Sequence, residues 1–413
     1  VVSTRSRTFV TAFGDEEAPR AGRCVKQKVC CMSQHGKYSA FSRRRALTRA
    51  GALAALAPVV AGLGAAPLPA QEASPVAGDA SGEAMPHSDT PERVAAAVAR
   101  IPDLAASLLE QSATPGMAVA VVYDDEVMFS GGFGLRHVSS GEAVDAETVF
   151  LLASVSKPIA ATVVSAVVGD GEISWNTRMA DLDPGFALHD AWPTQQVTLA
   201  DLFAHRSGLK DHGGDVLEDL GYSRAEVIHR LRYLEPQYSF RDGYAYTNFG
   251  LTAAADAVAR SQGTSWEDLS AERLYEPLGM SKTSSRLADY VAQPNRAVPH
   301  VRDGEQWVVA PMLRNPDAQS PAGGANSNVI DMAQWLRLQL GQGMYDGQEL
   351  IPADALAPMH RPQAFSRIPG NPAVDRAGFY GLGLNVSFTN DGAIQWGHSG
   401  AFALGAVKLA DVA

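Results

Sequence analysis

The chain has 413 residues, 46% hydrophobic and 19% charged, with a formal net charge of -11. This composition is ordinary for a soluble globular enzyme and allows one large or two medium domains. The first 70 residues are basic and the remainder carries the whole acidic excess, so no basic patch in the body points to nucleic acid, and a small-molecule or peptide partner is favoured.

Residues 1–31 read as a disordered upstream extension. The chain begins with Val1, and Met32 would leave a short basic region of normal length before the next segment. Cys24, Cys30 and Cys31, all the cysteines of the chain, belong to this stretch or its edge and have no partners at ligand spacing. No metal and no cofactor are therefore expected. The body has no thiol to act as nucleophile or form a disulfide. Residues 32–70 contain Ser42-Arg43-Arg44-Arg45, an apolar run over 50–66 and a small-residue zone ending at Ala70. That order makes a secretory signal of twin-arginine type. A short membrane anchor is the alternative, but the run is short for a stable span. The expectation is a bacterial protein exported to the periplasm or beyond, with no stable membrane span after cleavage. Residues 71–90, rich in Ala, Ser, Pro, Gly and acids, read as a disordered linker.

Residues 91–413 form the body. Apolar residues at helical spacing predict a helix over 91–112. An apolar strand over 117–123, a turn at Asp124-Asp125 and a second strand over 127–133 make a hairpin. A polar loop leads to Phe150 and an apolar helix-like run after Ser154. The chain is then mostly helical to about residue 375. Strands are expected over 380–388 and 393–396, while Lys408-Leu409-Ala410-Asp411 lacks a strand pattern. This order predicts an α+β fold, an antiparallel sheet flanked by helices with a mostly helical insert.

Three motifs carry chemistry. Ser154-Val155-Ser156-Lys157 places a hydroxyl and an amine just under one helical turn apart, on the same face. A buried lysine can take the proton that a serine must lose to become a nucleophile. A surface lysine on an amphipathic helix is the bland alternative, and the small apolar neighbours count against it. Ser207-Gly208-Leu209-Lys210 has the same spacing, but its glycine and the following Asp211-His212-Gly213-Gly214 read as a helix end and turn. Tyr246-Thr247-Asn248 supplies a phenol whose pKa a nearby ammonium would depress, and an amide able to orient the lysine and a substrate carbonyl. A packed loop tyrosine and a helix-capping asparagine are the alternative. His398-Ser399-Gly400 follows an expected strand. It offers an imidazole and a glycine that admits close backbone approach, or else an exposed hairpin turn.

In this order the three motifs resemble the penicillin-recognising serine hydrolases, most closely the class C β-lactamase-like branch with its Y-x-N motif. Further stretches share the resemblance: 197–209, Pro277-Leu278-Gly279-Met280, Ala322-Gly323-Gly324 and Tyr380-Gly381-Leu382-Gly383. The resemblance covers about residues 91–405. It implies that Ser154 attacks a carbonyl, that Lys157 and Tyr246 share the proton transfers, and that Asn248 orients Lys157 and the substrate amide. The N–H groups of Ser154 and Ala401, beside Gly400, would hold the oxyanion. His398 stands where many members have lysine, which implies a weaker, pH-dependent carboxylate anchor and favours peptidase or esterase over β-lactamase activity. The implied function is an exported serine hydrolase acting on a D-amino-acid peptide, an ester or a β-lactam. A non-catalytic cell-wall peptide sensor and an inactive truncated product are the alternatives. The family's sheet continues past this third motif, so the resemblance also implies a C-terminally incomplete domain with an uncovered sheet edge.

Overall fold

Residues 91–112 form two helices rather than one. Helix α1 (Pro91–Ala99) starts at Thr90, whose side chain accepts from the Arg93 N–H, and helix α2 (Ile101–Ser112) follows after Arg100. Pro102 has no N–H to continue the first helix, and its ring crowds the carbonyl four residues back. The structure, a computed structural model, describes residues 8–14, 90–371, 375–389, 392–402 and 405–412; for 8–14 and 405–412 it describes the strand backbone. The expected signal segment 32–70, the linker up to residue 89 and the three cysteines lie outside the described residues. Among the described residues no helix is long and apolar enough to cross a membrane.

The main sheet has nine strands: β1 (Thr8–Gly14), β2 (Gly116–Tyr123), β3 (Glu126–His137), β4 (Glu142–Ala143), β5 (Ala364–Arg367), β6 (Gly378–Tyr380), β7 (Asn385–Phe388), β8 (Ile394–Phe402) and β9 (Gly405–Val412). Their spatial order is β5-β6-β7-β8-β9-β1-β2-β3-β4, and every neighbouring pair is antiparallel. The β2–β3 hairpin turns at Asp124 and Asp125, both at positive φ (50° and 65°), the backbone that a tight two-residue hairpin requires.

Two stretches depart from expectation. Residues 8–14, read as part of a disordered extension, form β1, and residues 405–412, read as lacking a strand pattern, form β9. Each pairs on both sides, β1 with β9 and β2, and β9 with β8 and β1. Local propensity is weak beside the hydrogen bonding that two flanking strands offer. The sheet edge expected to be uncovered along β2 is therefore paired. The single strand expected over 380–388 is interrupted between β6 and β7, and β8 runs through all of His398-Ser399-Gly400.

Ala118, Ala120 and Val122, alternate residues of β2, join one continuous apolar core with the helices. Helix α3 (Ser156–Gly169) lies at its centre. Ser156 through Val167 are all buried, which fits a helix apolar around nearly its whole circumference. Around it sit helix α4 (Leu199–Phe203), helix α5 (Asp215–Asp219), helix α6 (Asn248–Ser261) and helix α7 (Val329–Leu340). Segment Ser320–Gly324 packs against both α3 and α6, and α7 packs on β2.

Candidate active site

Ser154 sits in a single 3-10 turn, Ala153–Val155, that runs directly into α3. Ala153 holds φ at 47°, a left-handed backbone that costs a non-glycine residue about 1–3 kcal/mol. Strand β8 presses against this turn at Gly400. A methyl group on Gly400 would collide with the Leu152 carbonyl and lie 2.9 Å from the Ser154 nitrogen. Only glycine lets the strand approach so closely. Ser154 and Ala401, the expected oxyanion donors, thus stand on two segments in contact.

Lys157, one turn into the same run, is fully buried. Its Nζ lies 3.0 Å from Ser154 Oγ, 2.7 Å from Asn248 Oδ1 and 2.9 Å from the Ala322 carbonyl. Burial pulls its pKa down to about 7, with Asp215 opposing the fall. A neutral amine has two N–H donors and one lone pair. Asn248 Oδ1 and the Ala322 oxygen can only accept, so they take both hydrogens, and the lone pair is left facing the Ser154 hydroxyl. That is the arrangement of a general base and its nucleophile.

Tyr246 places its ring 4.5 Å from Lys157 Nζ. Sequence reasoning expected a depressed phenol pKa. Instead burial drives it up, a hydrogen bond with Ser154 only partly opposes this, and the carboxylates of Asp215 and Asp211 add to it. Burial therefore outweighs the nearby amine, and Tyr246 stays protonated. The segment carrying it is latched to 205–212: Ala245 N donates to the His205 carbonyl, Thr247 N to His205 Nδ1, and His212 N to the Tyr246 carbonyl. The far end of that segment is anchored by Asp201. Its fully buried carboxylate accepts from Arg206 Nε at 2.8 Å and Arg241 at 2.7 Å, and it closes a capping box with Thr198 at the start of α4.

Asn248 opens α6. Its Oδ1 faces Lys157 and its Nδ2 donates to Asp215 Oδ2 at 2.8 Å. The same carboxylate oxygen accepts from His212 Nδ1 at 2.8 Å. His398 is buried in β8, and its Nδ1 donates to the Ser399 carbonyl. Nε2 must then accept, and the Tyr380 hydroxyl donates to it at 2.9 Å. Burial, reinforced by Lys157, pulls its pKa down to about 3. The expected pH-dependent carboxylate anchor is thereby corrected: near neutral pH this imidazole is uncharged and both its nitrogens are engaged within the protein.

The second S-x-x-K copy brings no pair together. Ser207 and Lys210 lie in irregular chain after α4, Gly208 is at φ 88°, and Lys210 is exposed. Sequence reasoning set His212 aside with it, yet His212 reaches the site through Asp215. It also overlooked Asp215, His205, the Ala322 carbonyl and the hydroxyl of Tyr380. Three of these sit inside stretches already singled out, His205 within 197–209. The Ala322-Gly323-Gly324 backbone caps Lys157. In Tyr380-Gly381-Leu382-Gly383, Gly383 (φ 76°) runs so close to α3 that a Cβ there would lie 2.6 Å from the Lys157 carbonyl. Asp215 had no such signal, because nothing in one sequence links it to a residue 33 positions away.

Residues 101–409 match the family model described as Beta-lactamase. The chain belongs to the beta-lactamase family. Over 298 residues it is 29% identical to penicillin-binding protein 4 of Amycolatopsis lactamdurans, covering 70% of this chain and 74% of that protein. An unguisins hydrolase of Aspergillus campestris is 30% identical over 232 residues, 54% of this chain but 43% of the fungal protein. This beta-lactamase-family chain thus spans less than half the length of that relative. The octameric penicillin-binding protein homologue from Pyrococcus abyssi superposes with a TM-score of 0.61 at 20% identity, over 76% of this chain and 74% of that one, and shares the α+β fold.

Proposed function

We propose that this chain is an exported serine hydrolase that forms an acyl-enzyme at Ser154 and hydrolyses an amide or ester. The carrying observation is the buried Lys157 amine, 3.0 Å from Ser154 Oγ and with a pKa near 7. As Ser154 Oγ attacks the substrate carbonyl, the Lys157 lone pair takes its proton. The Ser154 and Ala401 N–H groups would receive the developing oxyanion. Tyr246, kept protonated beside Ser154, gives its proton to the leaving group and regains one from the Lys157 ammonium. Water then cleaves the acyl ester by the same groups in reverse.

Candidate substrates are D-amino-acid peptides, esters and β-lactams. A neutral, internally bonded His398 offers no cation for a carboxylate, which favours the peptide or ester over the β-lactam. The relatives named as a hydrolase and a penicillin-binding protein accord with acyl transfer. Export rests on residues 32–70 alone; replacing Arg43 and Arg44 by lysines should block it, and undiminished export would remove this part of the reading. The main test is labelling with a fluorophosphonate and a fluorescent penicillin, followed by peptide mapping. Label on Ser154, abolished in Ser154→Ala, is expected. Label elsewhere, or binding of substrate with no label at all, would overturn the acyl-enzyme.

A further inference from the structure

The Lys157 lone pair points at Ser154 only while Asn248 presents its oxygen to the amine. A side-chain amide turned by half a rotation would offer N–H instead. Lys157 would then have to direct its lone pair to Asn248 and a hydrogen to Ser154, and the base would be lost. Lys157 cannot enforce the orientation, since its nitrogen can donate or accept. The Ala322 oxygen does not touch Asn248. The group that discriminates is Asp215, a carboxylate that only accepts and that meets Asn248 Nδ2 at 2.8 Å.

We propose that Asp215 is the positioning residue of this site, fixing the Asn248 amide so that the Lys157 lone pair faces Ser154. The inference rests on the acyl-enzyme reading above. Three further observations support it. Asp215 Oδ1 is buried with no hydrogen-bond partner among the described residues, so Oδ2 alone ties the carboxylate to the site. Its Oδ2 also accepts from the exposed His212, a second contact on the oxygen that meets Asn248. Helix α5, which Asp215 opens, follows the same turn whose His212 N–H binds the Tyr246 carbonyl, so base, amide and phenol share one support.

Asp215 also acts through its charge. It favours the Lys157 ammonium, against the burial that disfavours it. The other titratable groups around this cluster are Tyr246, which stays protonated, Asp211, Glu218 on the same helix, whose pKa burial and the Asp215 charge raise, and the histidines 205, 212 and 398; His205 and His398 are held neutral by burial. Removing the negative charge of Asp215 therefore lowers the pH at which Lys157 becomes a base.

The test compares Asp215→Asn and Asp215→Ala with the unaltered chain. Asp215→Asn removes the charge and leaves an amide that can accept or donate, so Asn248 is no longer held one way, whereas Asp215→Ala removes the partner of Asn248 Nδ2 altogether. The rate of Ser154 labelling by a fluorophosphonate is followed from pH 5 to 9. Asp215→Asn should move the acid limb down by about one pH unit. Both variants should also lower the plateau, Asp215→Ala by about tenfold or more, the cost of a lost charge-assisted hydrogen bond. A structural role alone would reduce the folded fraction by circular dichroism while leaving the limb of the folded protein in place. Folded variants with the original limb and plateau would overturn the proposal. If the unaltered chain shows no label, the acyl-enzyme reading fails. Nuclear magnetic resonance of the Asn248 side-chain amide then still decides for Asp215: shifted 15N–H signals in Asp215→Ala support the fixed amide, and unmoved signals refute it.

Discussion

Lys157→Met should change how the stability of the chain depends on pH, and the size of the change follows from burial. An ordinary lysine titrates at 10.5, and Lys157 in the folded chain is drawn down to about 7. Between those values the unfolded chain holds a proton that the folded chain has released. Stability therefore rises with pH across the window from about 7 to 10.5 and levels off below it. Each pH unit inside the window adds about 1.4 kcal/mol, so roughly 2.5–3 kcal/mol accrues between pH 7.5 and 9.5. Methionine abolishes this dependence. It also strands the Asn248 and Ala322 oxygens, at about 1–3 kcal/mol each, but that cost does not vary with pH. The remaining tyrosines and lysines titrate alike in both proteins and cancel in the difference. Urea unfolding of both proteins at several pH values measures it. The original chain should gain on Lys157→Met steadily as pH rises. Parallel stability curves would show that Lys157 keeps an ordinary pKa, and would remove the argument for it as a neutral base.

Further expectations follow from the same geometry. His398→Gln should alter the rate of Ser154 labelling but leave its acid limb in place, since His398 is already neutral above about pH 3; a pH–rate profile in which the limb vanishes would assign the titration to His398 instead. Asp201→Ala removes a buried carboxylate from two partly exposed arginines and should cost about 1–3 kcal/mol by denaturant unfolding; a loss under about 0.5 kcal/mol would mean that the network does not hold the Tyr246 segment. Gly400→Ala forces β8 off the Ser154 turn and should destabilise by about 1–3 kcal/mol while sharply slowing labelling, measured on the same preparation; an unaffected labelling rate would show that β8 takes no part in the site.

The legible part of this protein was the part written in short stretches of chain. Ser154 and Lys157 share a turn, so spacing and an apolar run suffice to pair them. The hairpin over 116–137 is announced by an apolar run over 117–123 and by two aspartates at its turn. The α+β plan follows from the order of such elements, and the family resemblance from three motifs in sequence. Charge and pairing across the fold were not legible. The lysine reads as a buried base and is one by burial, but the tyrosine reads as acidic and becomes a protected phenol, because burial depends on what α6 and Ser320–Gly324 bring over them. His398 reads as a ligand for substrate and turns out to be bonded to Tyr380 and Ser399. Residues 8–14, Thr-Phe-Val-Thr-Ala-Phe-Gly, carry β-branched and aromatic residues that suit a strand, but only the pairing with β9 and β2 shows that they join the sheet, and 405–412 is paired on both sides in the same way. The sequence by itself determined which atoms are available for the chemistry. Tertiary structure decided their protonation and direction, since both depend on desolvation and on partners such as Asp215 that lie far away along the chain.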